Sequence, residues 1–137
     1  MAEMNVQTTQ VLYPAQRYAD ARAAIRWLCE AFGFEEQVVY AGPDDTIAHA
    51  QLTLNGAVLM LGSARDGGPY PAKTPRQVGG ITGSIYVYVP DPDAHAARAK
   101  AAGARITLEP YDTEYGSREY SAYDCEDYWW TFGTYRP

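Results

Sequence analysis

An α+β fold made of two βαβββ modules, curving together into a cup, is the architecture this sequence predicts. Three observations carry it. The order strand, helix, three strands occurs twice along the 137 residues. The spacing from the glycine that stops each helix to the last tight turn is nearly the same, 23 positions from Gly33 to Gly56 and 24 from Gly103 to Asp127. A segment rich in glycine and proline separates the two halves. A repeat of matched elements over so long a span marks two copies of one structural unit.

The first module is expected over about residues 5–62. It opens on "VQTTQVLYPA", residues 6–15, read as a strand. Residues 19–32, "ADARAAIRWLCEAF", place Ala21, Ala24, Ile25, Leu28, Cys29 and Phe32 at three- and four-residue intervals. That spacing predicts an amphipathic helix, with Asp20 as its N-cap and Gly33 as its stop. Three strands follow, "FEEQVVYA", "TIAHAQLTL" and "AVLMLG", the last two joined by Asn55-Gly56. An Asn-Gly pair between apolar runs is a strong hairpin signal, because both residues accept positive φ.

Residues 63–80, "SARDGGPYPAKTPRQVGG", read as a linker with no strand or helix of its own. The second module is expected over about 81–137: the strand "ITGSIYVYV", the shorter helix "DPDAHAARAKAA" stopped by Gly103, then "RITLEPY", "REYSAYD" and "YWWTFGTY". Asp127 takes the place of Gly56, in a turn where Asp is among the few residues that tolerate positive φ. One module sheet bears a helix on one face and leaves the other face to be hidden or used.

Composition narrows the function. The net charge is −6, and residues 107–137 hold seven acids against Arg118 and Arg136. Such a field repels phosphates and attracts cations, so nucleic acid is not expected as a partner. Cys29 and Cys125 are the only cysteines, too few for a disulfide framework and consistent with free thiols in a reducing compartment. No stretch reaches the roughly 20 apolar residues of a membrane span, and the start lacks a signal-peptide pattern. A cytoplasmic protein with no membrane partner is the expectation.

The segments "DARAAIRWLCEAFGFEE", "DTIAHAQLTLNGAVLML" and "YGSREYSAYDCEDYWWTFGTYRP" resemble the glyoxalase/bleomycin-resistance/extradiol-dioxygenase superfamily, the vicinal oxygen chelate proteins, over nearly the whole chain. The middle segment resembles a subgroup found near phosphonate genes. The resemblance implies paired βαβββ modules, a homodimer and a site inside the cup. In metal-dependent members it implies four ligands, on the first and last strand of each module. Carried onto this sequence, those positions are Tyr13, Met60, Ser84 and Thr131. A neutral phenol, a thioether and two hydroxyls are poor donors for a divalent ion beside the usual imidazole and carboxylate, so neither metal nor other cofactor is expected. What remains is a cup that only binds, as in the bleomycin-resistance proteins.

Strand alternation then assigns the lining. If Thr131 faces the cup, so does Trp129, while Trp130 turns into the core. On the opening strand of the second module Ser84, Tyr86 and Tyr88 share the inner face, and Tyr13 and Met60 complete a pocket with no acid–base pair. Trp129 and Tyr86 read either as ligand contacts or as filling for the space a metal site vacated. Flat or cationic small molecules, antibiotics among them, suit such rings.

The alternative is a metal-dependent lyase, isomerase or dioxygenase of the same fold, recruiting His49, Glu109 or Glu119. A third reading has the cup closed by its own side chains, with the protein's role at an interface. His49 by itself reads as a hydrogen-bonded structural residue. His95 reads as solvent-facing, and Cys125 as a thiol without activation. Tyr123, where relatives often carry Arg, is left without a role. The sequence leaves open whether the cup forms within one chain or across a dimer.

Overall fold

The computed structural model of the protein describes residues 9–137. Module 1 comprises β1 (Ala15–Tyr18), α1 (Ala21–Phe32), β2 (Glu35–Ala41), β3 (Ile47–Leu54) and β4 (Ala57–Ser63). A short helix, α2 (Pro75–Val78), lies in the connection. Module 2 comprises β5 (Ile85–Tyr88), α3 (Pro92–Ala101), β6 (Arg105–Asp112), β7 (Arg118–Tyr123) and β8 (Trp129–Gly133). The two sheets have equivalent strand orders, β1-β4-β3-β2 and β5-β8-β7-β6. In each, the first strand runs parallel to the last and the other pairs are antiparallel.

The local signals act as their chemistry dictates. The Asp20 carboxylate accepts the Ala23 amide at 3.1 Å and caps α1, and Gly33, at φ 84°, closes it. Asn55, Gly56 and Asp127 all take positive φ, so the aspartate does fill the turn that glycine fills in module 1. Along α1 the buried side chains are Ala21, Ala24, Ile25, Leu28, Ala31 and Phe32, and Cys29 lies beside them, half-buried.

Two boundaries differ from the sequence reading. The first strand lies at Ala15–Tyr18 rather than over 6–15, of which residues 6–8 fall outside the described residues. Pro14 has no amide to donate. The Gln10 side chain does the pairing there instead, giving a hydrogen bond to the Val58 carbonyl and accepting one from the Val58 amide. The connection 63–80 is also not bare. Ser63 ends β4, and Thr74 and Gln77 form a reciprocal capping box that opens α2, with Gly79 closing it at φ 78°. Four residues suffice for a helix here because both ends are capped.

The helix-bearing faces of both sheets share one core. Phe32 and Phe34 of module 1 pack on Trp130, and Phe32 also on Phe132, with ring centroids 4.7–5.7 Å apart. Polar groups staple the modules at three places. Buried Asp124 accepts from the Tyr18 hydroxyl at 2.6 Å and the Trp130 indole at 3.0 Å. The Glu126 carboxylate accepts the amides of Ala19 and Asp20. The Tyr128 hydroxyl donates to the Arg17 carbonyl and accepts the Arg17 amide, so a side chain covers the free edge of β1 as a further strand would.

His95 corrects the expectation of a solvent-facing residue. It is half-buried between the modules, its ring near those of Phe32 and Phe132. Its Nε2 donates to the Phe32 carbonyl at 2.8 Å, so Nδ1 is left to accept the Tyr120 hydroxyl. Burial, and then the neighbouring Arg98, hold this imidazole below its ordinary value of 6.5 against the pull of the Phe32 carbonyl. A base depressed in the fold contributes stability that is complete above the unfolded value and is lost as pH falls through the folded one. Urea melts of the wild type should therefore show stability declining from about pH 6.5 downward. His95→Leu should be less stable at neutral pH and flatter across that window. Parallel pH profiles for the two proteins would contradict the assignment.

Candidate functional site

Opposite the shared core, each sheet keeps an open face. On module 2 it carries Tyr86 and Tyr88 from β5, Trp129, Thr131 and Gly133 from β8, and Glu119, Ser121 and Tyr123 from β7. The register sets them side by side: Tyr86 opposite Thr131, Ser121 opposite Thr131, Glu119 opposite Gly133, and Tyr123 opposite Trp129. The two adjacent tryptophans divide as alternation requires. Trp130 is 1% exposed in the core, and Trp129 is half-buried on the open face.

A polar chain fixes the middle of this face. The Trp129 indole donates to Thr131 Oγ1 at 3.2 Å, and that hydroxyl is 2.8 Å from Ser121 Oγ. The Tyr123 ring meets Trp129 edge-on at 5.3 Å, and the Arg105 guanidinium lies over Tyr123 at 4.1 Å. This gives Tyr123 a place: it is the ring between a cation and the half-buried indole. On β5 the Tyr86 hydroxyl donates to the Tyr135 carbonyl, and Arg136 covers the Tyr88 ring at 4.2 Å. Burial pushes the Tyr86 phenol up, so it remains a neutral donor at ordinary pH.

Gly133 makes the lower end of the face. A Cβ at this position would lie 2.5 Å from Glu119 Cγ and 2.7 Å from the Tyr86 hydroxyl. Both side chains lie over the glycine, and any larger residue displaces them. Gly133→Val is expected to cost about 1–3 kcal/mol through overpacking. Gly83→Val, where a Cβ would meet nothing within 4 Å, should stay within about 0.5 kcal/mol. Denaturant midpoints of the two variants check the pair, and equal losses would contradict the close approach.

The open face of module 1 is chemically different. Met60 lies between Ala15 and Gln51. His49 bonds Gln51 at 2.9 Å, Gln51 bonds Gln37, and the Tyr40 ring stacks on the imidazole. Arg17 crosses Gly62, where a Cβ would be 2.5 Å from its guanidinium, and lies over the Tyr70 ring of the connection.

Of the expected lining, Tyr86, Tyr88, Trp129 and Thr131 come together on one sheet face, and Met60 lies on the other module's. Tyr13 and Ser84 are exposed and sit two residues ahead of the positions facing Met60 and Thr131, which Ala15 and Tyr86 occupy. Two cavities, of about 510 and 620 Å3, border β5. Tyr86 lines both, with Ser84 in the first and Tyr88 in the second.

The donor set does not fit a divalent ion. The four inherited positions hold Tyr13, Met60, Ser84 and Thr131, and no three His, Cys, Asp or Glu cluster among the described residues. The recruits lie apart in bonding: His49 on Gln51, Glu119 on Tyr115, and Glu109 in an exposed ion pair with Lys100 at 3.0 Å. Burial, then Asp124 and Glu126, push the Cys125 thiol up to about 12, which disfavours its thiolate. Among the described residues no helix is long and apolar enough to cross a membrane.

Fold and face together define a two-module βαβββ protein whose second module carries an aromatic, hydroxyl-edged sheet face. The Glyoxalase/Bleomycin resistance protein/Dioxygenase superfamily model matches residues 10–132, and the chain belongs to that superfamily. An uncharacterised protein of Mycobacterium bovis is 32% identical over 133 residues, covering 95% of this chain and 86% of its own. The crystal structure of TioX from Micromonospora sp. ML1 superposes with a TM-score of 0.69 at 31% identity, covering 90% of this chain and 94% of that one. Glyoxalase I from Zea mays has the same fold, with a TM-score of 0.68 at 19% identity over 92% of this chain and 44% of its own.

Proposed function

We propose that this protein is a metal-independent binder, a cytoplasmic homodimer that holds an aromatic or cationic small molecule against the open face of module 2. An antibiotic of that chemistry is the ligand class to try. The observation that carries the reading is the state of Trp129: its ring reaches solvent while its indole N–H is already bonded to Thr131. An indole whose polar edge is satisfied and whose ring reaches solvent offers apolar area without an unpaired donor. Tyr86 and Tyr88 extend the surface, and a cation over such rings gains about 0.5–2 kcal/mol per contact.

The metal-dependent reading gains no support from the donor set. A planar cationic probe, ethidium, separates the two in a calorimetric titration. Protein treated with a chelator should bind it as untreated protein does, and added zinc or manganese should leave the affinity unchanged. Binding that appears only after metal loading would overturn the reading.

A further inference from the structure

Glu119 has a setting that the aromatic face alone does not explain. It is a carboxylate only 5% exposed, on the open side of β7. Removing a carboxylate from water is costly unless a cation or several donors compensate it. One donor is present: the Tyr115 hydroxyl, 2.6 Å from Oε2. The nearby arginines are engaged elsewhere, Arg118 with Asp93 and Asp112 and Arg136 over Tyr88. Among the described residues no group donates to Oε1. That atom is not sealed either, since Thr107 Oγ1 is the one buried side-chain polar atom without a partner among the described residues.

Tyrosines surround this carboxylate. Tyr111 lies directly opposite it on β6, Tyr115 bonds it, and the Tyr86 hydroxyl approaches over Gly133. Tyr135 meets Tyr115 edge-on at 5.6 Å and takes the Tyr86 hydroxyl on its carbonyl. Phenolic rings around an undercompensated carboxylate form a receptor for an organic ammonium: the rings attract the cation through their faces, and Oε1 accepts an N–H.

We infer that Glu119, within Tyr86, Tyr111, Tyr115 and Tyr135, binds the protonated amine of the ligand. The rest of the ligand runs along β5 and β8 toward Trp129. This rests on the binding reading above and narrows its ligands to amines.

The test compares 2-phenylethylammonium with 2-phenylethanol, of similar shape and no charge, by calorimetry or ligand-observed NMR in about 0.3 M salt to screen the chain's general acidity. The ammonium should bind wild-type protein at least tenfold more tightly than the alcohol. Glu119→Gln should remove that preference. Equal affinity of the two probes for the wild type would overturn the amine assignment and leave the aromatic surface standing. Binding of neither would overturn both. The wild-type comparison decides the matter even if the variant does not fold, and a preference retained in a folded Glu119→Gln overturns the role of Glu119.

Discussion

Asp124→Ala is expected to remove about 3–5 kcal/mol of folding stability. The carboxylate sits 5% exposed and accepts four hydrogen bonds: from the Tyr18 hydroxyl, the Trp130 indole, and the amides of Glu126 and Tyr128. Burial still pushes this acid above its ordinary range, so the four donors offset desolvation only in part. Truncation leaves the Trp130 indole and the two amides without an acceptor in a dry place, at about 1–3 kcal/mol for each that water cannot reach, while the Tyr18 hydroxyl can turn to Gln16 Oε1, 2.8 Å away. The bonds to Tyr18 and Trp130 cross from one module to the other or fix the tryptophan that both modules share. The loss should therefore appear as one cooperative transition shifted down by about 10–15 °C. Asp124→Asn keeps an acceptor for the two amides and should lose roughly half as much. A calorimetric scan in which Asp124→Ala melts within about 2 °C of wild type would remove Asp124 as the staple.

Trp129→Ala is expected to weaken ethidium binding at least tenfold while leaving the melting temperature nearly unchanged. A half-buried indole contributes flat apolar surface to this face, and about 1.4 kcal/mol of lost contact is a factor of ten in affinity. Its removal opens no core cavity, because Trp130, not Trp129, packs against Phe32 and Phe132. Trp130→Ala is the opposite control: about 3–5 kcal/mol of stability lost through the cavity and the loss of one of the four donors to Asp124. The pair separates surface from core on adjacent residues. Unchanged ethidium affinity in Trp129→Ala, measured by calorimetry since the variant lacks the reporting indole, would take Trp129 out of the site.

Most of the fold was legible because it rests on local chemistry. The α1 stripe, its Asp20 cap and Gly33 stop, the Asn55-Gly56 hairpin and the parity that splits Trp129 from Trp130 follow from backbone geometry alone. What was hidden depends on tertiary partners. The start of β1 depends on Gln10 reaching Val58 around Pro14, and no periodicity records that. The α2 helix lies in a segment whose glycines and prolines signal a loop, although its Thr74 and Gln77 carry a capping box at the usual spacing. The burial of His95 has no mark in the sequence, because α3 is rich in alanine with little amphipathic contrast between the face that meets Phe32 and the others.

The site was legible in the same uneven way. Tyr86, Tyr88, Trp129 and Thr131 share a face because strand parity is reliable within one strand pair. Tyr13 and Ser84 fall ahead of their strands because parity gives the face of a residue but not where pairing begins. No periodicity marks the tyrosines at 111, 115 and 135 as companions of Glu119, since a bulged β6–β7 pairing and the segment after β8 bring them together. Their one trace in the sequence is the density of tyrosine around "YDTEYGSREY".

Indole N–H signals in a nitrogen–proton correlation spectrum test the central claim most directly, because the chain has three tryptophans and each gives one peak. Titration with ethidium should move the Trp129 peak progressively and leave that of buried Trp130 in place. A Trp129 peak that stays fixed while binding saturates would show that the ligand sits elsewhere, and the open face of module 2 would no longer be the site.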